Sequence, residues 1–298
     1  MNTKKRKMNL RILMLISFLW VYGTAMTFAA TQFNVLELAK QVVMAVLSVV
    51  IVYGISEYRD RKKISCVPKR LGIVGFLGAV VLFLVTEQRL YVHVICATLI
   101  TYALVISKEA WTKRVLQLGS AIVLYVVAFH RTFRIPLRSL LSYQSYMESS
   151  MVNISSAIQN GKIWGSGYGT QMLYGGDASD WYMNALVWGQ LGIIGFLILV
   201  IAFGTLTAWI SRVYIQTRKK NDLTESIISL AVMIHFISAV AIFIVGMKDP
   251  IVSYLFNEKM PFFSKTVVIN AGCLMELGMV YSIAVREKAV NDKWEKHQ

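Results

Sequence analysis

The chain has 298 residues, of which 56% are hydrophobic and 16% charged, against roughly 25% charged in an ordinary soluble domain. Its several apolar runs of about 20 residues exclude a soluble globular enzyme and point to an all-α, polytopic membrane helix bundle. The net charge of +15 would suit a nucleic-acid partner, but the basic residues sit in short clusters between apolar runs. That is the pattern of a membrane-topology signal, and no nucleic acid is expected.

The N-terminal residues 1–9 carry Lys4, Lys5, Arg6 and Lys7 ahead of an apolar run, as a signal peptide would. The run is long for a signal peptide and further spans follow, so it is read as a retained first helix. Spans are predicted over 10–29, 38–56, 71–85, 90–106, 115–129, 181–210, 227–247 and 266–285, about eight transmembrane helices in one domain covering 1–298. Helices are the open-chain solution, because backbone groups cannot stay unpaired in lipid. The sixth span is longer than a bilayer needs and is expected to tilt or project.

With a cytoplasmic N-terminus, 22 of the 31 basic residues fall in cytoplasmic segments. Both termini are then cytoplasmic, with 286–298 as a tail. This places a large loop, 132–180, on the outer face, with a second outer loop at 248–265. Cys66, Cys96 and Cys273 lack metal or redox spacing and are read as free thiols. His93, His235 and Glu276 fall within apolar runs, and intramembrane ionisable residues are functional candidates by default.

The large outer loop is where chemistry is expected. Asp177 and Asp180 stand where it re-enters the membrane, just before Trp181 and Tyr182. A carboxylate there could act as general base toward a hydroxyl of a lipid-linked substrate, or hold a divalent cation against a pyrophosphate. The same Gly-Gly-Asp-Ala-Ser-Asp run also suits a solvated turn and helix N-cap. Arg131, Arg134, Arg138 and Lys162 could bind phosphates, or snorkel at the interface. Gly161, Gly165, Gly167 and Gly169 lack the preceding strand and following Lys-Ser/Thr of a phosphate loop. Bends, or close approach of backbone to a neighbour or substrate, are the expected roles.

Three separated stretches together resemble the SEDS family (shape, elongation, division and sporulation; the FtsW, RodA and SpoVE group). The first runs through Arg134-Ile135, Tyr143-Gln144, Ser149 or Ser150, Ala157-Ile158, Gly161, Gly165 and Gly167 to Asp180, then Gln190-Leu191-Gly192-Ile193-Ile194-Gly195. The second is Met-Pro-Phe-Phe-Ser at 260–264, followed by Asn270 and Leu277-Gly278. The third is Lys40-Gln41 with Glu57-Tyr58. Members usually have ten spans and both termini in the cytoplasm. A helix pair with the family's Gly-Ala-x-Arg-Trp and Gln-Pro-Ser-Glu motifs is missing between Tyr58 and Leu71, which leaves eight spans in the same orientation.

The resemblance implies a membrane glycosyltransferase that polymerises lipid II outside the membrane, often with a class B penicillin-binding protein. It makes Asp180 the activating carboxylate, one insertion away from the family's position, with Asp177 as the alternate. Arg134, Arg138, Lys162, Gln144 and Ser264 are then the substrate-binding candidates, with no metal site and no resident cofactor beyond an optional divalent cation. The chain departs from the pattern at Gly189-Gln190, where the family has two acids, and at Thr266-Val267, where it has glycines. Two other readings stay open. One is a non-catalytic SEDS relative acting as a membrane scaffold or regulator. The other is an O-antigen ligase or polymerase using an undecaprenyl-linked glycan, since such enzymes also have a large outer loop before a Gly-Ile-Ile-Gly-type turn.

Overall fold

The computed structural model describes residues 10–31, 36, 38–46, 48, 50, 94, 97–98, 100–101, 111–119, 122–123, 126, 158–167, 183–220, 222–246, 261–263 and 267–294. Among them the chain is helical, with no strand. The long helices are α1 (Leu10–Thr31), α2 (Met183–Lys219), α3 (Leu223–Gly246) and α4 (Val267–Trp294). Leu10–Thr27, Val187–Lys219 and Glu225–Val245 are long and apolar enough to cross a membrane. The expected span over 71–85 falls outside the described residues and that over 90–106 largely so, while helical residues at 115–119, 122–123 and 126 lie within the expected fifth span. Helical residues at 38–46, 48 and 50 lie within the expected second span.

α2 and α3 form an antiparallel pair joined by a tight turn. Asp222 caps α3: its Oδ1 accepts the Glu225 amide at 3.3 Å, satisfying a donor that the helix start leaves open. The buried residues of α2 include a series in 3-4 alternation: Phe196, Leu199, Phe203, Leu206, Ile210, Val213 and Thr217. Those of α3 include a matching seam: Glu225, Ser229, Val232, Phe236, Ala239 and Phe243. A seven-residue repeat keeps one stripe of each helix facing the other, as in a left-handed coiled coil. Phe196 stacks on Phe243 with ring centroids 5.6 Å apart, and Phe203 meets Phe236 at 6.4 Å. The two stripes thus step against each other, and Thr217 closes the series by accepting from Ser226 Oγ at 3.2 Å.

α4 is fastened by polar contacts at three levels. Near its start Asn270 donates to Gln41 at 3.1 Å, and Ser48 Oγ donates to the Ala271 carbonyl at 3.4 Å. In the middle, His235 Nδ1 and Glu276 Oε2 lie 2.6 Å apart, with side chains 5% and 19% exposed. Farther along, Arg286 reaches Glu225 at 2.7 Å. α4 continues to Trp294, so residues predicted as a cytoplasmic tail extend the last helix. The cause is local: Arg286, Glu287, Lys288 and Ala289 all favour helix, and Arg286 has its partner on α3.

Within 248–265 the described residues are 261–263, and all three are buried rather than exposed. Phe262 adopts a left-handed backbone, φ 72°, which is costly for a bulky residue. Its ring lies 6.5 Å from Phe236. Its carbonyl presses on Gly23 of α1, where any side chain would collide. Gly23 and Phe236 each stand 13 residues from the start of their helix, about 20 Å along it. The turn is therefore buried between α1 and α3, well inside the length of both.

The His235–Glu276 contact yields a measurable prediction. His235→Ala and Glu276→Ala, made singly and together, should show a coupling of about 0.6–1.7 kcal/mol in a double-mutant cycle. Unfolding of the detergent-solubilised protein provides the readout, and additivity of the two changes would mean that the pair adds nothing to the α3–α4 contact.

Candidate functional site

The local feature on which a site can be built is a break in α2. At Gly192 the backbone takes φ 67°, ψ −171°, far from helical values. An unbroken helix would join the Ile193 amide to the Gly189 carbonyl and the Ile194 amide to the Gln190 carbonyl. Here all four groups turn to segment 161–167 instead. Ile193 donates to the Lys162 carbonyl at 3.1 Å, and Ile194 donates to the Ile163 carbonyl at 3.4 Å. The Gly189 carbonyl accepts from the Ser166 amide at 2.9 Å, and the Gln190 carbonyl accepts from the Gly167 amide at 3.1 Å. Ser166 Oγ adds a second donor to Gly189 at 2.9 Å. Two helical hydrogen bonds are thus exchanged for four that cross between segments.

The sequence makes this clamp possible at two positions above all. Gly165 (φ 82°) and Gly192 (φ 67°) both occupy left-handed backbone, open to glycine at little cost. A Cβ on Gly165 would strike the Gln190 carbonyl, and one on Gly192 would strike the Ile163 carbonyl. Close approach of backbone to a neighbour is the role found for these loop glycines, and the neighbour is α2 itself. Lys162 is also left-handed, φ 44°, a conformation a lysine keeps only where the surroundings impose it.

Discontinuous membrane helices often bind ions or anionic groups with their free half-helix ends. That use does not apply here, because the four backbone groups freed by the break are taken by the loop. The clamp is an anchor: it pins the chain at Gly167 and leads back to α2 at Met183. Asp177 and Asp180 lie in sequence between those two points.

Of the predicted site residues, Lys162 is placed in the clamp, its carbonyl holding Ile193 and its side chain exposed. Asp177, Asp180, Arg134, Arg138, Gln144 and Ser264 lie outside the described residues, as do Arg131, Gly169 and His93. His235 and Glu276, single candidates in the sequence, are brought together as a pair. Cys273 is a buried thiol that forms no disulfide. Among the described residues no cluster of His, Cys, Asp or Glu could hold a metal ion.

Sequence reasoning missed Ser166 and Gly189 as clamp partners. The available signal was two glycines three residues apart around a glutamine, Gly189-Gln190-Leu191-Gly192, inside an otherwise apolar run. Compared with models of known protein families and with curated proteins, the chain matches none.

The clamp predicts a specific response to Gly192→Ala. Left-handed backbone costs a non-glycine residue about 1–2 kcal/mol, and the new Cβ meets the Ile163 carbonyl. Amide exchange at Ile193, Ile194, Ser166 and Gly167 should quicken by more than about tenfold, the ratio equivalent to 1.4 kcal/mol. Ser166→Ala removes one side-chain bond worth about 1 kcal/mol and should leave the four backbone bonds protected. Unchanged exchange in the Gly192 variant would count against the clamp.

Proposed function

We propose that this chain is a SEDS-like membrane protein of bacterial cell-envelope biogenesis, serving cell division, shape or sporulation, and that its outer loop works on lipid II as a peptidoglycan glycosyltransferase. The reading includes about eight spans in the cytoplasmic membrane, both termini in the cytoplasm, and a class B penicillin-binding protein as partner.

The observation that carries it is where the resemblance segments meet. The Gly-rich stretch and the Gln190–Gly195 stretch, separate in sequence, are hydrogen-bonded to each other residue by residue. Gln41 and Asn270, from the two other stretches, are hydrogen-bonded at 3.1 Å across 229 positions. A scatter of chance matches has no reason to converge in this way; a shared architecture does.

In this reading Asp180, or Asp177 as alternate, takes the proton from the attacking sugar hydroxyl as the new glycosidic bond forms. The lipid diphosphate departs with the bonding electrons, its charge held by Arg134, Arg138 and Lys162. Gln144 and Ser264 complete the substrate contacts, and a divalent cation would supplement the basic residues on the diphosphate. The clamp contributes rigidity: catalytic groups on loops need a fixed scaffold.

Asp180→Ala should abolish glycan formation from lipid II by the purified protein in detergent, while leaving its folding unchanged. Polymerisation that survives in both the Asp180 and Asp177 variants would remove the catalytic assignment. A wild type that binds a penicillin-binding protein and makes no glycan would favour the scaffold reading. Transfer from an undecaprenyl-linked oligosaccharide instead of lipid II would favour the ligase reading.

A further inference from the structure

The clamp presents three residues outward. Trp164 is 79% exposed and Ile163 56%, with the exposed Lys162 beside them. A tryptophan and an isoleucine held open to their surroundings by a rigid backbone are unexpected on a water-facing turn. They fit the headgroup level of a bilayer, where tryptophan is enriched.

Depth agrees. Gly192 stands 20 residues from Arg212, the first charged side chain on the run toward the α2–α3 turn. At 1.5 Å per residue that is about 30 Å, one hydrocarbon thickness. Arg212 and the basic turn Arg218–Lys219–Lys220 then mark one interface, and the clamp marks the opposite one. Continuity agrees as well. Ile194, Leu197, Ile198 and Ile201 form an exposed apolar stripe on α2. Ile163 meets the top of that stripe, because its carbonyl accepts the Ile194 amide. The surface α2 offers to lipid tails therefore runs onto the loop tip, and Lys162 follows where the phosphates of the headgroups would lie.

We propose that Lys162, Ile163 and Trp164 form an interfacial anchor that binds anionic phospholipid headgroups on the leaflet opposite the basic turn. Trp164 and Ile163 sit at the boundary of headgroup and acyl chain, and the Lys162 ammonium pairs with a phosphate. The anchor sets the height of segment 161–167 against the bilayer. It does not depend on glycosyl transfer and would stand if that reading fell. A lipid-linked diphosphate offers Lys162 similar chemistry, so the test separates the two sources.

The full-length protein is placed in nanodiscs of phosphatidylcholine, alone or with phosphatidylglycerol or undecaprenyl phosphate. The Trp164 signal is the difference between wild type and Trp164→Phe. It should be quenched by lipids brominated near the headgroup end of their chains and shielded from aqueous acrylamide. Lys162→Asn removes the charge but tolerates left-handed backbone; protection of the Ile193 and Ile194 amides from exchange checks that the clamp persists. This variant should retain phosphatidylglycerol roughly fivefold less well, the effect of about 1 kcal/mol per basic residue at a membrane surface. Acrylamide quenching of Trp164 as in free solution would overturn the proposal. So would unchanged phosphatidylglycerol retention in Lys162→Asn, or retention through Lys162 of undecaprenyl phosphate but not of phosphatidylglycerol.

Discussion

Backbone polar groups removed from water must find partners, and in α2 that requirement is met in an unusual way. Left-handed backbone at Gly192 opens the helical ladder, releasing the carbonyls of Gly189 and Gln190 and the amides of Ile193 and Ile194. Segment 161–167 supplies two amides and two carbonyls to match. In an apolar setting each unmatched group would cost several kcal/mol, so the loop and the break stabilise each other. Neither would be expected to persist alone.

The remainder of the described bundle is arranged around the helix that carries this break. α3 runs antiparallel to α2 along a heptad seam, with Phe196, Phe203 and Ile210 stepping down one side and Phe243, Phe236 and Ser229 along the other. Several hydroxyls along the helices are satisfied locally: Thr27 bonds the Gly23 carbonyl, Thr205 that of Ile201, and Ser211 that of Thr207. α4 depends more on polar contacts, through Asn270, Glu276 and Arg286. The non-helical piece 261–263 is tolerated because protein surrounds it, the circumstance in which irregular backbone is found at membrane depth. In 162–167 the side chains are largely exposed, and the irregular backbone is tolerated because its polar groups pair with α2.

For function, the consequence is a fixed reference point at one end of the stretch that holds Asp177 and Asp180. The clamp ties one end of the stretch holding Asp177 and Asp180 to the helix that begins at its other end. An enzyme acting on a lipid-linked sugar needs its carboxylate at a defined height above the bilayer, and an anchored loop provides such a reference. A scaffold protein would use the same fixed point for docking. The two readings share an architecture and differ in whether the loop carries chemistry.

How much of this was legible beforehand can be judged residue by residue. Composition and run length were enough for an all-helical membrane class, because hydrocarbon admits few other backbone solutions. They placed α1 and α3 to within a few residues, and the Gly-rich stretch stood out as the chain's polar excursion. The seam on α2 was not legible. Phe196, Leu199 and Phe203 face protein while Leu197, Ile198 and Ile201 do not, yet all are apolar, since lipid and protein interior demand the same chemistry. Nor could spacing reveal that His235 and Glu276, 41 positions apart, are partners, or that Gly165 packs on Gln190. The sequence by itself determined that the chain is helical and suited to lipid, because transfer free energy is a property of each residue. Only the tertiary structure decided which faces meet and where α2 breaks, because those depend on backbone groups finding partners far away in the chain.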